Sequence, residues 1–376
     1  MNIIKHTARI LVGLTFIFSG LAKGIDPWGS AYKFSDYFVA MNLDFLLWAA
    51  FPLGVLLSFA EFAIGAALLF NVFLRFFSWL AFLFMIFFTV LTLWIALENP
   101  VTDCGCFGDA LVISNWATFY KNIILLVLTF IVFYYRNNMK NYPCRKLGYT
   151  LAGMSVIAYA VLVFHSYNHL PQLDFRPFKV GTHIPDAMAI PDGAPQDEYE
   201  NIFYYKNKNT EKVEQFTEAN YPWQDTANWV FHDMQSVLIN KGYEPPIHDF
   251  RIETQEGDDI LDFFISDNNY VFMLIAWNLN KSNIKSQEKI NELAHWAMNN
   301  GMQFIGLTSS LPAEWDEFTE RHDVPYEFFN ADEITLKTII RSNPGLMIIK
   351  EGTIVAKYHY NDIPSPEEFE NEFINK

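Results

Sequence analysis

Long apolar stretches separated by short polar gaps fill the first 167 residues of the chain, and beyond that point the pattern changes character. Five apolar runs lie near 7–22, 47–70, 72–97, 116–135 and 149–166. Each approaches the roughly 20 residues that a helix needs to cross a hydrocarbon layer. Lys5 and Arg9 give the first run a basic front like that of a signal peptide. Arg9 lies inside the run, however, and Ser19-Gly20-Leu21-Ala22 is a poor cleavage site, so the run reads as a span. Small residues in the first two runs (Gly13, Ser19, Gly20, Ala60, Ala63, Gly65) mark faces where helices can approach closely.

After residue 168 the apolar runs shorten. Residues 168–199 are rich in Pro, Asp and Gly and read as a linker or a loop over the outer face. Residues 200–217 predict a hairpin around Lys208-Asn209-Thr210. A helix is predicted near 226–241, with Trp229, Phe231, Met234, Val237 and Leu238 on its apolar face. From residue 247 strands and helices alternate. Strand signals fall at 248–253, 270–276, 302–308, 326–329, 345–350 and 353–360, and helix signals at 258–266, 284–299, 312–322, 332–342 and 364–374. The unbroken apolar run from Tyr270 to Ala276 suits a central strand buried on both faces.

The fold class expected is therefore an all-α transmembrane bundle of five spans followed by an α/β soluble domain. The divisions are 1–137 for a four-helix membrane domain, 138–167 for a cytoplasmic loop and fifth span, 168–246 for a linker with hairpin and helix, and 247–376 for the α/β domain.

Charge sharpens this division. Residues 1–167 carry 10 basic and 7 acidic residues, leaving 16 basic and 35 acidic of the chain's 26 and 42 for the rest. So acidic an outer half argues against a nucleic-acid partner. Lys5 and Arg9, Arg75, and the group Arg136, Lys140, Arg145 and Lys146 occupy ends and loops that share one side. The positive-inside rule makes that side cytoplasmic. The N-terminus is then cytoplasmic and the C-terminal domain periplasmic, in a multi-pass protein of the bacterial inner membrane. Cys104 and Cys106 fall on the outer side, where disulfides persist. Cys144 falls on the inner side and reads as incidental.

Three groups carry candidate chemistry. The first is Asp103-Cys104-Gly105-Cys106-Phe107-Gly108, two thiols with one glycine between them in a polar gap. A bridge across so short a loop is strained and labile rather than structural. The functional reading is a redox-active dithiol, whose attacking species is a thiolate. The other readings are a tight loop with incidental cysteines, or half of a metal site. Zinc wants about four ligands and none lies nearby in sequence, so no metal is expected. The second group is Glu61, a carboxyl inside the second span. It is costly there unless paired or protonated, and reads either as a proton-handling or quinone-contacting group or as a structural ion pair with Arg9. The third is Lys121, near the outer end of the fourth span, which either snorkels to the surface or sits under the cysteine loop and favours a thiolate. His248, Asp249 and Arg251 form the densest charged group of the outer domain and read as a polar strand edge.

Arg9, Gly13, Ser19-Gly20, Lys23 and Asp26-Pro27 resemble the first-helix pattern of the DoxX family, and Glu61 with Gly65 resembles its second-helix Glu-x-x-x-Gly. Asp103 to Gly108, with Lys121-Asn122 downstream, resembles the loop and fourth helix of the MauE branch. The resemblance covers about residues 1–137. It implies membrane redox chemistry: MauE takes part in maturing a disulfide-rich periplasmic dehydrogenase subunit, and DoxX relatives are tied to thiosulfate oxidation by quinone. A quinone cofactor held near Glu61, Arg9 and Lys121 is implied in the same way.

The element order over 247–376 is similar to the thioredoxin-like fold, with Asn343-Pro344 where that fold keeps a cis-proline. The Trp-Cys-x-x-Cys motif is missing, for the chain reads Trp277-Asn278-Leu279-Asn280-Lys281, and no cysteine occurs after Cys144.

Two functions follow. In one, an oxidoreductase exchanges thiols and electrons through Cys104, Cys106 and Glu61 with a periplasmic thiol-containing client and a quinone. In the other, a non-enzymatic membrane scaffold holds a periplasmic partner against Trp277 and Pro344.

Overall fold

The computed structural model describes residues 2–101, 103–139 and 145–375. The bundle contains α1 (Asn2–Ile25), α2 (Pro27–Ala40), a 3-10 turn (Asp44–Ala49) running into α3 (Ala50–Leu69), and α4 (Leu74–Glu98). A second 3-10 turn (Gly108–Ala110), α5 (Asn115–Tyr135) and α6 (Arg145–Asn168) complete it. Five segments are long and apolar enough to cross a membrane: Ile3–Ile25, Asp44–Leu69, Leu74–Glu98, Asn115–Tyr135 and Lys146–Asn168. These match the five apolar runs, so the chain is a multi-pass membrane protein. Cys144 and Lys140 lie outside the described residues.

The polar gap between the first two spans, read as a loop from sequence, contains α2. Asp26 accepts a hydrogen bond from Gly29 N at 2.8 Å and Pro27 starts the first turn, which together nucleate a helix too mixed in polarity to stand out. Packing of α1 against α3 depends on missing side chains. A Cβ on Gly20 would lie 2.7 Å from Phe62 N, and one on Gly65 would lie 2.6 Å from Ile17 N. The fifth span joins them through Tyr159, whose buried ring stacks on Phe62 at 4.3 Å and whose hydroxyl donates to Gly20 O at 3.0 Å.

Residues His183–Phe250 form a compact unit of their own. It holds α7 (Ile184–Met188) and an antiparallel sheet of order β2-β1-β3, made of β1 (Glu198–Asn207), β2 (Val213–Phe216) and β3 (Trp229–Asn240). The expected hairpin is β1–β2. The expected helix at 226–241 is wrong: this segment is β3. Its apolar residues happen to recur at helical spacing. The run is nevertheless rich in aromatic and β-branched residues, and β1 pairs with its backbone throughout, as at Phe203↔Met234 and Tyr205↔Phe231.

The rest of the chain contains α8 (Leu261–Ile265), β4 (Tyr270–Ile275), α9 (Gln287–Asn299), β5 (Gln303–Thr308), α10 (Pro312–His322) and β6 (Glu327–Asn330). Then come α11 (Glu333–Ile339), β7 (Gly345–Lys350), β8 (Thr353–His359) and α12 (Pro366–Phe369), which ends in a π turn (Glu370–Ile374). The sheet order is β6-β5-β4-β7-β8, with β4, β5 and β6 parallel and β7 and β8 antiparallel to their neighbours. β4 is central, and Val271 to Ile275 are buried on both faces as their apolar run predicts. No strand forms at 248–253, where Glu253 alone makes isolated bridges to Asp259 and Asn330.

The region expected to be a linker starts as part of this unit. Asp174 binds Arg176 (2.7 Å) and Lys357 (2.7 Å), and Thr182 O accepts from Ile354 N at 2.9 Å, so the chain leaving α6 is fastened to the sheet. Bundle and sheet are also joined directly, by His169–Asp362 (2.7 Å), by Asn361 Nδ2 donating to Asn168 O (2.8 Å), and by Arg341.

Candidate thiol site

The loop between α4 and α5 closes on itself first. Asp103 Oδ1 accepts from Gly105 N at 2.8 Å, and Gly105 O accepts from Gly108 N at 3.1 Å. Gly105 sits at φ +64°, a conformation that side chains resist, and a Cβ there would lie 2.9 Å from Lys33 Cγ. The turn brings the Sγ atoms of Cys104 and Cys106 within 2.8 Å, both as free thiols.

Two elements hold this loop. From α2, Lys33 Nζ binds Asp103 Oδ2 at 2.6 Å and the Tyr37 hydroxyl donates to Cys104 O at 2.8 Å. These residues are four apart and so share one helix face. From the last turn of α1, Lys23 Nζ donates to Cys106 O (2.5 Å), Glu61 Oε2 (2.7 Å) and Ser19 Oγ (2.8 Å). It also reaches Glu61 Oε1 at 3.0 Å, so three groups, the Glu61 carboxylate, the Ser19 hydroxyl and the Cys106 carbonyl, share its three protons. Ser19 Oγ lies 2.9 Å from Glu61 Oε2 and 2.7 Å from Cys106 O. The Lys23 and Glu61 side chains are only 8% and 7% exposed, so each charge survives burial because the other is there.

The partner of Glu61 is thus Lys23 and not Arg9. Arg9 lies about 21 Å away along α1, fourteen residues at 1.5 Å each. There it donates to Leu68 O (2.6 Å) and Leu69 O (3.1 Å), at the end of α3 where helix carbonyls lack intrahelical donors. The first apolar run stops at residue 22 and leaves Lys23 just outside it, whereas α1 continues to Ile25. The spacing of Ser19 and Lys23, one turn apart, was the available signal.

One cavity of about 510 Å³ is lined by Cys104, Cys106, Glu61, Lys23, Tyr37 and Lys121 at one end, and by Leu56, Phe84, Phe87 and Phe88 along its walls. The volume is that of a small-molecule pocket. Leu56 and Phe87 are 61% and 62% exposed, so the walls run out to the apolar surface of the bundle. Lys121 Nζ lies 4.3 Å from the Phe107 ring centroid, under the cysteine loop. Arg9 is not in this cavity.

The electrostatics of the two sulfurs differ. The hydrogen bond between the thiols, followed by burial, pushes Cys104 above the usual thiol range. The same bond holds Cys106 below that range against burial, aided by the charges of Lys121 and Lys23. Burial, and then Cys104, pushes the Tyr37 phenol well up, so it remains a donor. Such an arrangement can keep one thiolate beside one thiol.

Trp277 and Pro344 lie in the α/β unit, in loops joined by Asn343 Nδ2 donating to Asn278 O at 2.9 Å. The Asn343–Pro344 bond is cis and Pro344 is buried. Lys337 Nζ sits 4.6 Å from the Trp277 ring and 5.0 Å from the Tyr32 ring of α2, so this edge of the unit meets the bundle. Among the described residues no group of three or more His, Cys, Asp or Glu is placed to hold a metal.

No curated protein matches the chain. Residues 199–241 match a domain of unknown function (DUF8463). Residues 1–135, the first four spans and the thiol loop between them, match the family described as "Methylamine utilisation protein MauE", so this is a multi-pass membrane protein with a MauE-like bundle.

Proposed function

We propose that the protein is a DoxX/MauE-type oxidoreductase of the bacterial inner membrane that couples a periplasmic thiol client to a membrane quinone through Cys104 and Cys106. The observation that carries this reading is the placement of two free thiols at the polar end of an apolar cavity, beside the buried Lys23–Glu61 pair. The cavity fits a quinone in kind. Its walls are apolar, and the Lys121 ammonium at its polar end is a donor suited to a carbonyl oxygen. A quinone supplies a two-electron, two-proton acceptor, so that dithiol plus quinone balances disulfide plus quinol. The chain's own residues hold the loop, keep Cys106 ready to lose a proton, and offer Glu61 as a nearby carboxylate. With quinone as acceptor the client is a dithiol: one client thiolate attacks the Cys104–Cys106 disulfide and the second displaces it, leaving the pair reduced. In the opposite direction one thiolate of the pair attacks a client disulfide, the second sulfur displaces the client as a dithiol, and quinol would return the pair to the dithiol. In this reading the N-terminus is cytoplasmic, and the α/β unit is a periplasmic thioredoxin-like domain. The mixed sheet of order β6-β5-β4-β7-β8 supports that fold assignment.

The test is differential thiol labelling. In intact cells a membrane-impermeant maleimide should modify Cys104 and Cys106, and added short-chain quinone should protect them by oxidation in isolated membranes. Labelling only after the cells are broken overturns the orientation, and labelling indifferent to quinone overturns the coupling.

One observation favours the scaffold reading for the outer part: no cysteine follows Cys144, so the α/β unit cannot exchange thiols itself. It would bind its partner beside Trp277 and Pro344. A double Cys104→Ser, Cys106→Ser protein with undiminished function would leave this reading alone.

A further inference from the structure

Arg341, just after α11, links the α/β unit to the thiol loop, and nothing in the sequence marks it. It is buried, and each of its nitrogens has a partner. Nε donates to Asp26 Oδ2 (2.7 Å), one terminal nitrogen to Asp109 Oδ2 (3.0 Å), and the other to Lys337 O (2.5 Å). The two carboxylates belong to different arms of the site. Asp26 caps α2, the helix that supplies Lys33 and Tyr37, and lies three residues after Lys23. Asp109 lies three residues after Cys106. Segments 23–26 and 106–109 therefore run side by side, joined at one end by Lys23 to Cys106 O and at the other by the guanidinium. Burial would raise the Asp26 carboxyl, but Arg341 holds it below its ordinary value. At Asp109 burial prevails and the carboxyl stays above its ordinary value. Without the cation, two half-buried acids would face each other across the joint and push it apart.

We propose that Arg341 is a positioning residue by which the α/β unit closes the thiol site: it locks α2 to the cysteine loop and keeps Cys104 and Cys106 shielded until that joint opens. This inference rests on the thiol pair being the reactive group of the site. A planar guanidinium is needed, because a lysine ammonium cannot hold two carboxylates and a carbonyl in that fork.

The experiment measures alkylation of Cys104 and Cys106 by a water-soluble maleimide, site by site by mass spectrometry, in the full chain in lipid nanodiscs. Arg341→Met and Arg341→Lys should each raise the rate about tenfold, the response to about 1.4 kcal/mol of easier local opening. His169→Ala severs a different contact between bundle and α/β unit, at His169–Asp362, and should leave the rate within about twofold. An unchanged rate in folded Arg341→Met overturns the proposal, and so does an equal rise in His169→Ala, which would mean that any loosening of the interface exposes the thiols. Should Arg341→Met fail to fold, Asp109→Asn decides: it keeps the Arg341–Asp26 bond and must still raise the rate. The readout needs no client or quinone. A thiol pair found dispensable for function would remove the redox reading while leaving this result standing.

Discussion

The two ends of α1 each bury a cation, and they use it differently. At one end Arg9 is held by the carbonyls of Leu68 and Leu69, at the finish of α3. A helix terminus needs donors there, and a guanidinium with its five N–H groups provides them. At the other end Lys23 faces a carboxylate, a hydroxyl and the backbone of the cysteine loop, and it borders a cavity. A buried charge is therefore not by itself a sign of chemistry. What separates the two is what sits opposite: backbone carbonyls at the Arg9 end, and titratable groups with open space beside them at the Lys23 end.

That contrast can be broken in descending order of effect. Lys23→Met strands the Glu61 carboxylate in a buried position and should cost about 3–5 kcal/mol, seen as a large fall in melting temperature or in accumulated protein. Removing both charges with Lys23→Met and Glu61→Met should restore most of that stability, because the pair's attraction does little more than offset its own desolvation. The thiol exchange should stay lost. A double variant as unstable as the single one would mean that the pair's partner is not the one assigned. Arg9→Met should cost less, about 1.5–3 kcal/mol for hydrogen bonds to a charged donor, and should leave maleimide rates at Cys104 and Cys106 unchanged. A changed rate would erase the distinction between the two ends. Gly105→Ala should be mildest, about 1 kcal/mol for placing a side chain at positive φ, with a further clash against Lys33. It alters no charge, so any gain in thiol labelling reports loop geometry alone.

The five spans were legible because a bilayer demands long apolar runs and little else has them. The central strand β4 was legible for a similar reason, since burial on both faces leaves an unbroken apolar run. The misses arose where several elements act together. β3 carries apolar residues at helical spacing, and only its pairing with β1 selects the strand. The α2 helix depends on the Asp26 cap and on burial of Ala31 and Phe38, neither visible as periodicity. At the site, Cys104, Cys106, Glu61 and Lys121 were identifiable by residue type and setting, and the cavity brings all four together. The ion-pair alternative for Glu61 points to Arg9, because both sit within apolar runs, whereas the actual partner Lys23 falls just past the end of the first run. Arg341 carried no signal at all: its role exists only because α11 of the α/β unit ends beside Asp26 and Asp109, more than two hundred residues away in sequence.

The central claim is that Cys104 and Cys106 form a reactive pair, and covalent trapping tests it most directly. In such a pair one sulfur attacks a client and the other resolves the mixed disulfide. The Cys106 sulfur, held as the readier thiolate, should be the attacking one. Cells carrying Cys104→Ser should accordingly accumulate a higher-mass adduct on a non-reducing gel, lost on reduction and absent in the double Cys104→Ser, Cys106→Ser protein. The contrary result is no adduct from either single variant and a double variant that functions like the unaltered protein; the two cysteines would then be incidental to the loop.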